Sequence, residues 1–189
     1  MGARSMAFEG DGDRDRAQRF RAAALPYLDD VYTLARYLLR NPTDAEDAAQ
    51  ECYLRAFRHF DTFRGGPIKP WLLAILRNIC RAEYARRNAL AAVQVDGIEA
   101  QGTCESLWGE VGQSPETEVL RRLDGETMRR LIARLPDQFR EALVLREIND
   151  LSYREISEVT DTPVGTVMSR LARARTLLRD AWLAMEKGP

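Results

Sequence analysis

The chain has 189 residues, 45% hydrophobic and 30% charged, so it has room for one ordinary domain or two small ones and the balance of a folded globular protein. Its 28 basic and 29 acidic residues cancel to a formal charge of −1, which excludes a uniformly basic polyanion binder; any affinity for nucleic acid must come from where the charges lie. Scattered Cys52, Cys80 and Cys104 and the single His59 exclude a zinc finger and argue against a disulfide framework, and no apolar run approaches the roughly 20 residues of a bilayer span.

In chain order, residues 1–15 form a polar leader whose mixed charges are not those of a signal peptide, so a cytoplasmic protein is expected. Almost every later segment has apolar residues at helical spacing and none alternates as a strand would, which predicts an all-α fold. A first helical domain is expected over 16–87. Within it, Thr43-x-x-Glu46 has the form of a capping box, where hydroxyl and carboxylate satisfy orphan amides at a helix start. On the helix that follows, Ala45, Ala49, Cys52 and Ala56 share a face small enough for close packing. Asp44, Asp47 and Glu51 share the other face, with Gln50 at its edge. An open carboxylate stripe lacks the pocket and the histidine that acid–base work needs, and suits a basic partner surface instead.

Gly65-Gly66-Pro67 forces a loop, and Pro70 is expected to open a helix with Leu72, Ile75, Leu76 and Ile79 as its buried stripe. Arg77, Arg81 and Tyr84 then emerge together on the far side, with Trp71 and Asn78 near the edges. Six basic residues from Arg64 to Arg87 face one acid, Glu83. Arginines interleaved with aromatics match the footprint for single-stranded or melted nucleic acid. Residues 88–118 hold six carboxylates, four glycines and no Lys or Arg, which predicts an acidic flexible linker.

A second small helical domain is expected over 119–187, and its strongest signal is Leu151 to Arg179. Ser152-x-x-Glu155 is another capping box, opening a short helix to about Val159. The turn Thr160-Asp161-Thr162 follows, then a longer helix from Pro163, which is the spacing of a helix-turn-helix. Val164, Val167, Leu171, Ala174 and Leu178 make one stripe of that helix. Thr166, Ser169 and Arg173 lie nearly opposite, with Met168 and Arg170 on the flanks. Between Pro163 and Arg179 there are four arginines and no acid. Small polar residues at the helix start allow close approach to a major groove, and arginines one turn on reach guanine edges or phosphates. With no Gly-rich phosphate loop, metal-ligand cluster or nucleophile–base pair, neither an enzyme nor a cofactor is expected. A conventional repressor would need a sensing or dimerising N-terminal domain, which the paired acidic and basic faces do not suggest.

In this order the motifs resemble those of the sigma-70 family RNA polymerase sigma factors of the extracytoplasmic-function (ECF) class. "NPTDAEDAAQECYLRAFRHFDTFRG" resembles the core-binding helix of sigma domain two, and "PWLLAILRNICRAEYARR" its promoter-melting helix. "LPDQFREALVLREINDLSYREISEVTDTPVGTVMSRLARARTLLRDA" resembles sigma domain four. The resemblance implies an alternative sigma factor that gives core RNA polymerase promoter specificity, in a stress or envelope response, and performs no covalent chemistry. Asp44, Asp47, Gln50 and Glu51 would dock on the clamp helices of the large catalytic subunit, and the flap of the second-largest subunit would be a further partner. Arg58 to Lys69, including Arg64, would hold an everted minus-ten base. Trp71, Arg77, Asn78, Arg81 and Tyr84 would hold the opened strand. Thr162, Pro163, Gly165, Thr166, Met168, Ser169, Arg170 and Arg173 would read the minus-thirty-five element of promoter DNA. The linker would thread toward the RNA exit path, and an anti-sigma factor is an expected partner, with no membrane insertion. Met168 departs from the Lys or Arg usual in the family, which puts one DNA contact in doubt. Ala48-Ala49 replaces a bulkier pair beneath the docking face.

Overall fold

The computed structural model describes residues 9–93 and 115–186, with side chains over 13–87 and 125–185. Every regular element among the described residues is helical. In order these are α1 (Glu9–Ala24), α2 (Leu28–Leu39), α3 (Pro42–His59), α4 (Ile68–Val93), α5 (Pro115–Arg134), α6 (Asp137–Glu147), α7 (Tyr153–Thr160) and α8 (Val164–Glu186). Short 3-10 turns at Leu25–Tyr27 and Phe60–Thr62 follow α1 and α3.

The first half is built around the small-residue face of α3. Ala45, Ala48, Ala49, Cys52 and Ala56 are all buried, and their short side chains let α3 lie close against α2 and α4. Val31, Leu34 and Ala35 of α2 and Leu72, Leu73 and Leu76 of α4 close the core. Each fully buried leucine contributes about 1.5–3 kcal/mol relative to exposure. The helix α1 starts at Glu9, inside the expected polar leader. Phe20 anchors it edge-on to Phe57 and Phe60, with ring centroids 5.3 Å apart in both pairs. One turn earlier Arg16 donates to the Phe57 carbonyl at 2.7 Å and pairs with Asp61 at 2.9 Å, tying α1 to the end of α3.

The helix starts differ in detail from the sequence expectation. Arg40 closes α2 in the left-handed region at φ 60°. The next residue, Asn41, caps α3, its side chain accepting from the amides of Thr43 at 2.9 Å and Asp44 at 3.3 Å. The expected Thr43–Glu46 capping box is therefore displaced: Pro42 already occupies the first turn, so the cap falls one residue before it. Likewise α4 starts at Ile68, two residues ahead of Pro70, which is tolerated because first-turn amides have no helical partner.

In the second half, α5 to α8 enclose Leu131, Leu143, Leu145, Ile156, Val167 and Leu171. The predicted capping box of α7 is formed, with Glu155 N donating to Ser152 Oγ at 3.2 Å and Ser152 N to Glu155 Oε2 at 2.7 Å. Asp161 ends α7 at φ 48°, and the Pro163 carbonyl accepts from Thr166 and Val167 to start α8. Of the predicted stripe of α8, Val167, Leu171 and Ala174 are buried, whereas Val164 is 40% exposed.

The two halves touch. The helices α6 and α7 lie against α2 and α4, and buried residues of both halves form one continuous cluster. The expected linker at 88–118 overlaps helix at both ends, since α4 runs on to Val93 and α5 starts at Pro115. The rest of that segment, with Cys104, lies outside the described residues.

Candidate nucleic-acid interface

The acidic face of α3 is present but not uniform. Asp47 and Gln50 are exposed, with no ion pair among the described residues. Asp44 is half-buried and paired with Arg87 of α4, and Glu51 pairs with Arg55 one turn on at 2.6 Å. Two of the four predicted docking residues are thus fully available, and two are engaged within the chain.

After α3 the backbone turns through Gly65 and Gly66 at φ 89° and 98°, a region costly for any residue with a Cβ. An aromatic stack fixes the loop's base: Phe60 lies parallel to Phe63 at 6.5 Å, and Phe63 meets Trp71 at 5.0 Å. The half-buried Trp71 therefore packs against the loop and presents only part of its ring outward. Arg64 at the tip is exposed, whereas Lys69 pairs with Asp30 at 2.8 Å.

The outer side of α4 contradicts one expectation. Asn78, Arg81 and Tyr84 are exposed as predicted, but Arg77, expected beside them, is buried. Its guanidinium reaches both oxygens of Glu141 on α6, Nε at 2.6 Å and Nη2 at 3.4 Å. Helical periodicity had placed Arg77 away from the core of its own domain, which is correct; the second domain covers that side. Arg86 and Arg87 are engaged by Glu83, whose carboxyl their hydrogen bonds pull down to about 2, and Arg87 also holds Asp44. Of the six basic residues from Arg64 to Arg87, Arg64 and Arg81 alone carry no acidic partner among the described residues. The free basic face is narrower than the sequence implied.

On α8 the leading turn is open. Pro163, Gly165, Met168, Ser169 and Arg173 are exposed, while Thr162, Thr166 and Arg170 are half-buried. Thr162 Oγ1 donates to the Thr160 carbonyl at 3.0 Å and accepts weakly from Arg170 at 3.5 Å, so this side chain braces the turn. A Cβ added at Gly165 would meet nothing within 4 Å, so no packing requires a glycine there. The outer arginines divide: Arg175 pairs with Glu147 at 2.7 Å and Arg179 with Asp180 at 3.6 Å, while Arg173 points out without an acidic partner among the described residues.

Two buried polar groups escaped sequence reading. Arg140, 1% exposed, donates to the carbonyls of Ala133 and Leu135 at 3.2 and 2.9 Å and so closes the end of α5. Asn149, fully buried, donates to the carbonyl and carboxylate of Asp30 in the first half at 3.1 and 3.2 Å. A signal existed for Arg140 and Glu141, a charged pair set directly before the apolar Ala142–Leu145. No group of side chains suited to a metal occurs among the described residues, and none of their helices is long and apolar enough to cross a membrane.

Two helical modules with these faces are what a sigma factor of the sigma-70 class carries. Residues 24–89 match sigma-70 region 2, and residues 120–178 match sigma-70 region 4. The chain is 33% identical over 156 residues to the ECF RNA polymerase sigma factor SigW of Bacillus subtilis, covering 81% of this chain and 83% of that one. It is 34% identical over 139 residues to the ECF RNA polymerase sigma-E factor of Escherichia coli K12, 70% of either chain. It belongs to the ECF sigma factors. The sigma factor RpoE of Bartonella quintana, solved in complex with the anti-sigma factor NepR, shares the fold: the TM-score is 0.71 at 24% identity, covering 86% of this chain and 96% of that one.

Proposed function

We propose that this chain is an alternative sigma factor acting in the cytoplasm, which binds core RNA polymerase through α3, opens promoter DNA along α4 and recognises an upstream element with α8. The observation that carries this reading is the presence of both sigma-70 regions in order, each with part of its functional face open to solvent. Asp47 and Gln50 are open on α3, and Ser169 and Arg173 on α8.

Asp47, Gln50 and the more engaged Asp44 and Glu51 meet the clamp helices of the large catalytic subunit, and the second half meets the flap of the second-largest subunit. Arg64 and the loop it tips hold an everted minus-ten base, while Asn78, Arg81, Tyr84 and, once released, Arg77 hold the opened strand. Lys69 and Trp71 support that loop from beneath. Thr162, Pro163, Gly165, Thr166, Met168, Ser169, Arg170 and Arg173 line the helix that enters the upstream major groove. Binding energy released on the polymerase offsets base unstacking, a few kcal/mol for a flipped base. Base-edge contacts from α8 add about 1–3 kcal/mol of discrimination each. An anti-sigma factor is the natural regulator, by analogy with the complex of the Bartonella protein, and the setting is a stress or envelope response.

The test is binding of the whole chain to purified core polymerase. The wild type should form a stable holoenzyme, and Asp47→Arg, an exposed change that leaves the fold intact, should abolish it. Equal binding by the two would overturn the docking assignment, and no binding by the wild type would overturn the sigma reading itself.

A further inference from the structure

We propose that Arg16 of α1 is a positioning residue for minus-ten recognition: it pins Asp61, the one carboxylate of the reading loop, against the end of α3 and so keeps that charge off the DNA strand. The inference rests on the reading of Arg58 to Lys69 as the loop that holds an everted base.

Asp61 is an awkward charge where it stands. Between Arg58 and Lys69 it is the sole acid, set among Arg58, Arg64 and Lys69. Its side chain is 64% exposed in the short 3-10 segment that leaves α3. The partial negative charge at the end of α3 repels a carboxylate placed there. Left alone, the group would turn toward exposed Arg58 or Arg64 and occupy a cation suited to phosphate, or stand directly against an incoming strand.

Arg16 is built to hold it. Its Nη2 donates to the carbonyls of Phe57 at 2.7 Å and Arg58 at 3.3 Å, and its guanidinium carbon lies 4.7 Å from the centroid of the Phe57 ring. Those contacts fix the guanidinium before Asp61 is counted, and Nε then sits 2.9 Å from Asp61 Oδ2. One turn along α1, Phe20 braces the same place through Phe57 and Phe60. Phe60 in turn stacks on Phe63, which meets Trp71 at the loop's far end. The carboxylate is clamped at the loop's entry, while Arg64 stays exposed at its tip.

The pair is 24% and 64% exposed, so it adds little to stability. Its effect lies in where the charge is held. Loss of Arg16 should therefore show in strand binding, and that loss should depend on Asp61.

The experiment uses holoenzyme assembled from the full chain and core polymerase, comparing wild type, Arg16→Gln, Asp61→Asn and the double variant. The probe is a fluorescein-labelled non-template strand carrying the minus-ten element of a promoter that the wild type transcribes, read by anisotropy across a salt series. Arg16→Gln should weaken strand binding about fivefold at low salt, the effect of one carboxylate about 4 Å from a phosphate in water, and less as salt rises. Assembly with core should be unchanged. In the Asp61→Asn background the same change should cost less than about twofold. Should Arg16→Gln lose its helical circular dichroism, Arg16→Met keeps the side-chain stem against Phe57 and carries the same expectations. Undiminished binding by Arg16→Gln, or a loss that persists without Asp61, would overturn the inference. Arg64→Ala separates the two readings. Strand binding indifferent to Arg64 would overturn the loop assignment itself, whereas a loss at Arg64 with none at Arg16 overturns the role of Arg16 alone.

Discussion

Replacing Asn41 with alanine tests the local account of how the docking helix starts. Its side-chain oxygen accepts from two amides of the first turn of α3, at 2.9 and 3.3 Å. Both amides are at the surface, so their loss returns them to water and adds no burial penalty. The cost should be that of an ordinary cap, about 1 kcal/mol. With a urea slope of about 2–3 kcal/mol/M, the unfolding midpoint should fall by roughly 0.3–0.5 M. Thr43→Ala is the control. Its hydroxyl makes no bond among the described residues, and alanine is the better helix former, so that midpoint should move by less than about 0.2 M in either direction. Both variants and the wild type are compared in one urea series by far-ultraviolet circular dichroism. A Thr43→Ala cost equal to or above that of Asn41→Ala would refute the assignment of Asn41 as the cap.

Gly165→Ala should raise thermal stability, by up to about 1 kcal/mol, because its Cβ enters open space on an exposed helix. The same methyl should weaken holoenzyme binding to duplex promoter DNA, measured by competition; a variant both more stable and equally tight would show that the backbone at Gly165 does not approach DNA. Burial pushes the Cys52 and Cys80 thiols from 9.0 up to about 12, lowering their thiolate fraction at neutral pH by about a thousandfold. Iodoacetamide should therefore leave both unmodified in the native chain and label both in urea, as read by mass spectrometry; rapid native labelling of either would contradict their burial. Glu83 is held at about 2 by the guanidinium groups of Arg86 and Arg87, below its ordinary 4.5. A depressed folded value means its contribution is complete above about pH 4.5 and lost as pH falls toward 2. Between pH 6 and 3 the melting temperature of the wild type should drop further than that of Glu83→Gln, and parallel curves would contradict the pairing.

What the sequence disclosed was whatever one helix decides against its own neighbours. The alanine face of α3, the buried turns of α8 and the Ser152–Glu155 box follow from spacing alone, and each is where spacing puts it. Val164 departs because a helix's first residue has no preceding turn to hold it against the core. Asn41 was equally legible, since it precedes Pro42 just as Thr162 precedes Pro163, but the Thr43–Glu46 pattern matched a stronger motif. The start of α1 inside a polar, glycine-bearing segment was hidden, because Phe20 and Arg16 fasten it to α3 through tertiary contacts and not through propensity. Arg77 marks the deeper limit. Periodicity says which side of a helix faces away from its own core, and carries no information on whether a second domain lies there. Counting charges along α4 likewise overstated the free basic surface, because Asp30, Asp44 and Glu141, distant in sequence, are its neighbours in space.

The role assigned to the whole chain is tested most directly by mapping transcript starts made in vitro by core polymerase on fragmented genomic DNA, with and without the full-length protein. Discrete new starts should appear with it, sharing a pair of sequence elements at fixed spacing upstream. Transcripts indistinguishable from those of core enzyme alone, despite stable assembly of the two, would contradict it.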